Sequence, residues 1–179
     1  MNALEHLLAT HREAIVQTWF HHVLETYPPE TAKLWKKGQD HFANPVGYGL
    51  KVGTERIYAS LMAKDDAAAL EAAMEALDTI VRVRAVQNFA PSGAVGFIFL
   101  LKKSLREALW GDLNEQGLWA QFMALETRID GFALACLDIY AQCKEKLYAI
   151  KVKEIQDQQH LLLKRAQLIV GVGEGEPAE

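Results

Sequence analysis

Apolar positions recur along most of the chain at spacings of three and four, the period of helices with one buried face. Leu4, Leu7, Leu8, Ile15, Trp19, Val23 and Leu24 form one such stripe and predict a first helix over residues 3–26, stopped by Pro28–Pro29. A short helix opens at Pro29-Glu30-Thr31 and ends near Lys37–Gly38, with Trp35 as its apolar anchor and residues 39–44 as a loop. Asn44 as cap and Pro45 as first helical residue begin the next helix, to Ala63, with Val46, Leu50, Ile57 and Leu61 inward. Its Gly47, Gly49 and Gly53 each weaken it by about 1 kcal/mol relative to alanine. Close approach to another backbone, with Gly93 and Gly96 as the facing pair, is their expected use; lining a pocket is the alternative. Asp65–Asp66 open an alanine-rich helix to about Val86, with Leu70, Met74, Leu77 and Val81 on one face.

The stretch Asp78–Trp110 organises the rest. From Gly93 to Leu101 it is nearly all apolar, too short for a bilayer, which needs about 20 residues. A helix apolar on every side must be covered on every side, so this is the expected central helix. It then turns amphipathic, with Leu105, Ala108 and Leu109 between charged residues, and a break is expected at Gly111–Asn114. A last helix, starting near Glu115 or Leu118, runs to about Leu168, some 75 Å at 1.5 Å per residue. Leu118, Phe122, Leu125, Ile129, Phe132 and Cys136 give its first half a core-like face. The second half has a narrower stripe of Cys143, Leu147, Ile150 and Ile155, broken at Gln156–His160, as in a coiled-coil-like extension. Residues 171–179, rich in Gly and Glu, are expected to be disordered. Strand signals are scarce, and the fold class is all-α.

Two arginines stand out at the end of the alanine-rich helix. Arg84 projects onto its apolar face with Leu77, Ile80 and Val81, and a buried guanidinium needs carbonyls or a carboxylate around it. Arg82 lies on the flank, four residues after Asp78. One reading of Arg84 is a structural clamp on carbonyls at a neighbouring helix end. The other is a ligand site for a small anionic or apolar molecule, formed by Arg82, Arg84, Gln87, Asn88 and Ser92 near the helix that begins at Pro91. Ala90, the residue before that proline, is a poor cap.

Composition narrows the function. The chain has 179 residues, half of them hydrophobic, enough for one domain and an extension. A net charge of −4 argues against a nucleic-acid-binding surface. No basic leader precedes an apolar run and no segment reaches membrane-spanning length, so a cytoplasmic location is expected. Cys136 and Cys143 are seven apart, about 10 Å along one helix, so they cannot bridge each other. Apolar-face thiols are the expectation; pairing with a twin in a parallel dimer is the alternative. Phosphate loops, nucleophile elbows and His-Glu-x-x-His or Cys-x-x-Cys spacings are absent, so no catalytic, metal or cofactor residue is assigned. The histidines of the first helix lack metal-site spacing, and none occurs between Phe42 and His160, which argues against a histidine-ligated haem.

The stretch IVRVRAVQNFAPSGAVGFIFLLKKSLREALW resembles the signature of the RsbRD N-terminal domain family, the sensory half of RsbT co-antagonist proteins. TYPPETAKLWKK and HFANPVGYGLKVG are similar to the same family, so the resemblance covers most of residues 1–150. Related sequences favour Thr or Ser where this chain has Ala90. The resemblance implies a globin-like bundle without haem that passes signals to a C-terminal STAS domain. No STAS sequence is present, so the expectation is either action in trans through the exposed helix or a function that has drifted. It implies a sensor domain over residues 1–150; the sequence pattern adds a helical extension (151–170) and the tail (171–179). The expected function is a non-enzymatic, homodimeric signalling module of the stress-response type. The alternative is a structural adaptor that docks another protein, in a cytoplasmic signalling or respiratory complex, through the long last helix.

Overall fold

A computed structural model describes residues 2–37 and 44–165. Among them the regular structure is helical throughout, an all-α, globin-like bundle. The elements are α1 (Ala3–Thr10), α2 (Arg12–Glu25), α3 (Pro29–Lys37), α4 (Pro45–Ser60), α5 (Asp66–Val86), α6 (Pro91–Val95), α7 (Phe97–Gln116) and α8 (Trp119–Arg165). Two units divide the chain, Met1–Ala141 and Gln142–Glu179. The boundary falls within α8, ahead of the expected boundary at residue 150. The expected disordered tail and the end of the last helix beyond Arg165 lie outside the described residues, as does most of the 39–44 loop.

Local chemistry sets the starts of the helices. Asn2 closes a capping box with Glu5 at the head of α1. Asn44 caps α4 through Gly47 N–H, with Pro45 in the first turn, and Asp65 caps α5 through Ala68 N–H. Ala90 gives α6 no side-chain cap. The single helix expected over residues 3–26 is two, because the chain turns at His11 and starts again at Arg12. Gly111–Asn114 is no break: α7 continues to Gln116. It stops at Gly117, whose φ of 63° glycine adopts without strain, with Leu118 N–H bonded back to Leu113 O at 3.1 Å.

The core of the first unit gathers Ile15, Trp19, Val23, Ile57, Leu77 and Ile98, all at most 1 % exposed. On α5 the buried face is Ala69, Ala73, Ala76, Leu77, Ile80 and Val81. Met74 is exposed and Leu70 half-buried, so the working face is rotated from the expected stripe toward the alanines. Short side chains let α4 lie close along α5. Gly53 serves that approach: a Cβ there meets Ile80 Cδ1 at 2.8 Å and Cγ1 at 3.1 Å. It faces α5, not Gly93 or Gly96 as the sequence suggested. Gly49 faces open space and Gly47 abuts its own cap, Asn44. Gly53→Ala is therefore expected to destabilise by about 1–2 kcal/mol in urea unfolding, because displacement of Ile80 outweighs the gain in helix propensity.

Long polar side chains fasten α8 within this unit. Arg128 donates to Leu61 O at 2.7 Å, Ala63 O at 3.0 Å and Asp66 Oδ1 at 2.8 Å. It thereby places a cation on the carbonyl-rich C-terminal end of α4. Lys102–Asp130 (2.8 Å) and Arg106–Glu126 (2.7 Å) join α7 to α8. Sequence order reverses between the pairs, so the helices are antiparallel. α7 is not covered all round, as its apolar start suggested: Phe99 is 49 % exposed. In the second unit, residues 142–165 are a continuation of α8 through the 156–160 stretch. No helix among the described residues is long and apolar enough to cross a membrane.

Candidate functional site

Arg84 is the one fully buried charged side chain among the described residues, and the geometry around it is specific. It sits near the end of α5, where the chain closes in a Schellman turn. Phe89 N–H bonds to Arg84 O at 3.1 Å and Asn88 N–H to Ala85 O at 3.3 Å. Asn88 holds the left-handed position of this turn, with φ of 60°. The turn sends Phe89 back over the helix end and starts α6 at Pro91.

Inside the corner, Arg84 Nη1 donates to Gly93 O at 2.7 Å and Nη2 to Thr26 Oγ1 at 2.9 Å. Thr26, at the end of α2, donates its own hydroxyl hydrogen bond to Val23 O at 2.7 Å. Three aromatic rings surround the guanidinium carbon: Tyr27 at 4.9 Å, Phe89 at 5.0 Å and Phe97 at 5.1 Å from their centroids. Each desolvated cation–π contact is worth up to about 2 kcal/mol. Further rings extend the cluster. Trp19 stacks on Phe97, with centroids 6.3 Å apart, and donates Nε1–H to Phe97 O at 2.7 Å. Trp35 meets Tyr27 edge-on at 4.7 Å. From α8, Tyr140 donates to Phe89 O at 2.8 Å. One guanidinium thus links α2, α5, α6 and α7 through carbonyl, hydroxyl and rings.

Burial lowers the Arg84 pKa from its ordinary value, the Tyr27 hydroxyl beside it offsets part of that, and a guanidinium stays protonated in folded proteins. Burial raises the Tyr27 phenol, and the positive charge of Arg84 pulls it part of the way back. Burial likewise pushes the Cys136 thiol up to about 12, partly offset by the charge of Arg84. Cys136 is 0 % exposed and a free thiol, as is the buried Cys143. The sign follows from linkage. An unfolded thiol ionises near 9 while the folded one keeps its proton to about 12, so its contribution to stability is whole below pH 9 and declines toward 12. Cys136 is expected to resist iodoacetamide at pH 8 until urea unfolds the chain, read by mass mapping of the labelled peptide.

The five residues singled out in the sequence do not share one side of this corner. Arg84 points in, whereas Arg82, Gln87, Asn88 and Ser92 are exposed. Arg82 Nε pairs with Asp78 at 2.6 Å. The aromatic ring of contacts was not foreseen. Tyr27 and Arg84 are 57 residues apart, and periodicity carries no information about which helix end meets which helix face.

The remaining chemistry is sparse. His11 faces Asp112 at 3.4 Å and His22 Nδ1 faces Ser104 Oγ at 3.2 Å, joining α2 to α7. Met62, Met74 and Met123 are exposed rather than core residues. No group of three His, Cys, Asp or Glu among the described residues is placed to hold a metal ion. An open groove of about 590 Å³ runs between α1–α2 and α4, lined by Arg12, Glu13, Phe20, Lys51 and Glu55 among others. Its charges are mixed, so it selects no ligand sign.

A family model described as the RsbT co-antagonist protein RsbRD N-terminal domain matches residues 13–153. Neither a curated protein nor a solved structure matches.

Proposed function

The chain belongs to the RsbT co-antagonist protein RsbRD N-terminal domain family, and from that premise we propose that it is a non-enzymatic sensor and regulatory module of the stressosome type, acting through protein contacts. The observation that carries this reading, beside the family, is an apolar surface left open on the antiparallel α7–α8 pair. Phe99, Trp110, Met123, Leu134 and Leu137 are 46–67 % exposed there. Phe99 lies one turn before Lys102, and Leu134 one turn after Asp130. The Lys102–Asp130 bond therefore sets these two apolar turns side by side. A second copy is the occupant: two such faces related by a two-fold axis form a four-helix contact, with the ion pairs between α7 and α8 at its rim.

The second unit supplies a separate contact. Tyr148, Val152, Ile155 and Leu162 are all at least half exposed and fall on one face at helical spacing. We assign this face to the output protein. The corner at Arg84 is the input, because it is where four helices of the first unit are joined by one side chain.

Light scattering tests the assignment. The full chain is expected to be a dimer, Leu134→Glu a monomer with unchanged far-ultraviolet circular dichroism, and a chain ending at Ala149 still a dimer. A dimer indifferent to Leu134→Glu but lost on truncation moves self-association to the second unit, and favours the adaptor reading suggested by its apolar face. A monomeric full chain overturns the dimer.

A further inference from the structure

The groove between α1–α2 and α4 holds charge that the fold leaves unused. Its volume of about 590 Å³ is in the range of small-molecule sites. Val16, buried on α2, and the half-buried ring of Phe20 give it an apolar side. Lys51 and Glu55 line it from α4, both half-buried, and Arg12 lines it from the start of α2. None of these three side chains enters a hydrogen bond or ion pair among the described residues, whereas Glu13 is held by Gln17 at 3.2 Å. Half-buried charges without partners are unfavourable. Lys51 and Glu55 lie one turn apart and do not pair, and Lys ahead of Glu is the weaker order for such a bond. Burial raises the Tyr58 phenol of α4 and the charge of Arg12 offsets part of the rise, which puts Arg12 on the α4 side of its helix.

A ligand for this groove must match both signs. A simple anion is opposed by Glu55, and a simple cation by Arg12 and Lys51. A zwitterion meets no such opposition, and its apolar part has Val16 and Phe20 to cover. The rise from Lys51 to Glu55 is about 6 Å along α4. A single α-amino acid holds its two charged groups about 2.5 Å apart, and one further residue adds about 3.5 Å. Two residues therefore span the interval. We propose that the groove binds a dipeptide with free termini and apolar side chains, its carboxylate held by Arg12 and Lys51, its ammonium by Glu55, and its side chains against Val16 and Phe20. The site uses none of the residues of the Arg84 corner or of the α7–α8 face, so it goes beyond the regulatory reading without resting on it. Its ligand ties α2 to α4, and α2 ends at Thr26, which Arg84 bonds.

Calorimetric titration of the full chain with the dipeptide Leu-Leu tests the site. Saturable binding at one site per chain is expected. Lys51→Gln and Glu55→Gln are each expected to weaken it about tenfold, since each removes one charged partner and neither residue is in the core. Circular dichroism checks that both variants keep the parent fold. Acetylated and amidated Leu-Leu keeps the side chains, loses both charges, and is expected to bind about tenfold or more weaker. Free leucine, too short for the interval, is expected to bind more weakly than Leu-Leu. No saturable heat up to about 10 mM Leu-Leu overturns the proposal. So does equal affinity of the parent and both glutamine variants, or capped Leu-Leu or free leucine binding as tightly as Leu-Leu. Each of those results leaves the light-scattering measurement standing, so loss of the dipeptide site and loss of the regulatory reading are told apart.

Discussion

Arg84→Ala is expected to lower the unfolding free energy by about 4 kcal/mol in urea titrations at pH 7. The replacement empties the volume between three rings and removes the donors from Gly93 O and Thr26 Oγ1. A side chain with 0 % exposure in a packed corner leaves a cavity that the helix ends cannot close without breaking the Schellman turn. Arg84→Met separates the two parts of the loss. It keeps most of the volume and forfeits the hydrogen bonds, so about 2 kcal/mol is expected. Arg84→Lys keeps the charge but lacks the planar fork that reaches Gly93 and Thr26 together, and is expected to fall nearer alanine than methionine. If alanine costs under 1 kcal/mol, the corner is not the joint described.

Trp19→Ala is expected to have a similar effect, about 4 kcal/mol by the same titration. Trp19 is the largest fully buried side chain, stacked on Phe97, and its indole N–H satisfies Phe97 O at the start of α7. Trp19→Phe retains much of the stacking area and loses the hydrogen bond, so about 1–2 kcal/mol is expected. The two sites are coupled through Phe97, which touches both. The double variant Trp19→Phe, Arg84→Met should therefore depart from the sum of the single effects by more than the 0.5 kcal/mol typical of independent sites.

Much of this architecture is written locally. Asn44–Pro45 and Asp65–Asp66 announce helix starts that the backbone adopts, because a side-chain oxygen on a short stem meets the amide three residues on. The position of Arg84 on an apolar face was equally plain from its spacing to Leu77 and Ile80. What encloses Arg84 was not, since Tyr27, Phe89 and Phe97 arrive from three segments. Asn88 is instructive: as a polar residue near an arginine it suggested a ligand contact, and the backbone places it at a position where few side chains other than Asn and Gly fit easily. The stop at Gly117 was missed for the opposite reason. Gly111 and Gly117 look alike in sequence, and only the left-handed φ of the second distinguishes them. The alanines of α5 carry no large apolar side chain to mark a face in the sequence, and their small size is what lets α4 approach.

The tryptophans divide the first unit optically. Trp19 and Trp35 are at most 9 % exposed and lie in the aromatic cluster around Arg84. Trp110 is 58 % exposed and packs edge-on against Trp119 at 5.0 Å, where α7 ends and α8 begins. Emission from the first pair is expected to be blue and shielded, and emission from the second redder and open to iodide or acrylamide. Loosening of the corner, or capping of the α7–α8 end by the proposed second copy, would thus change different parts of one spectrum and be read without a label.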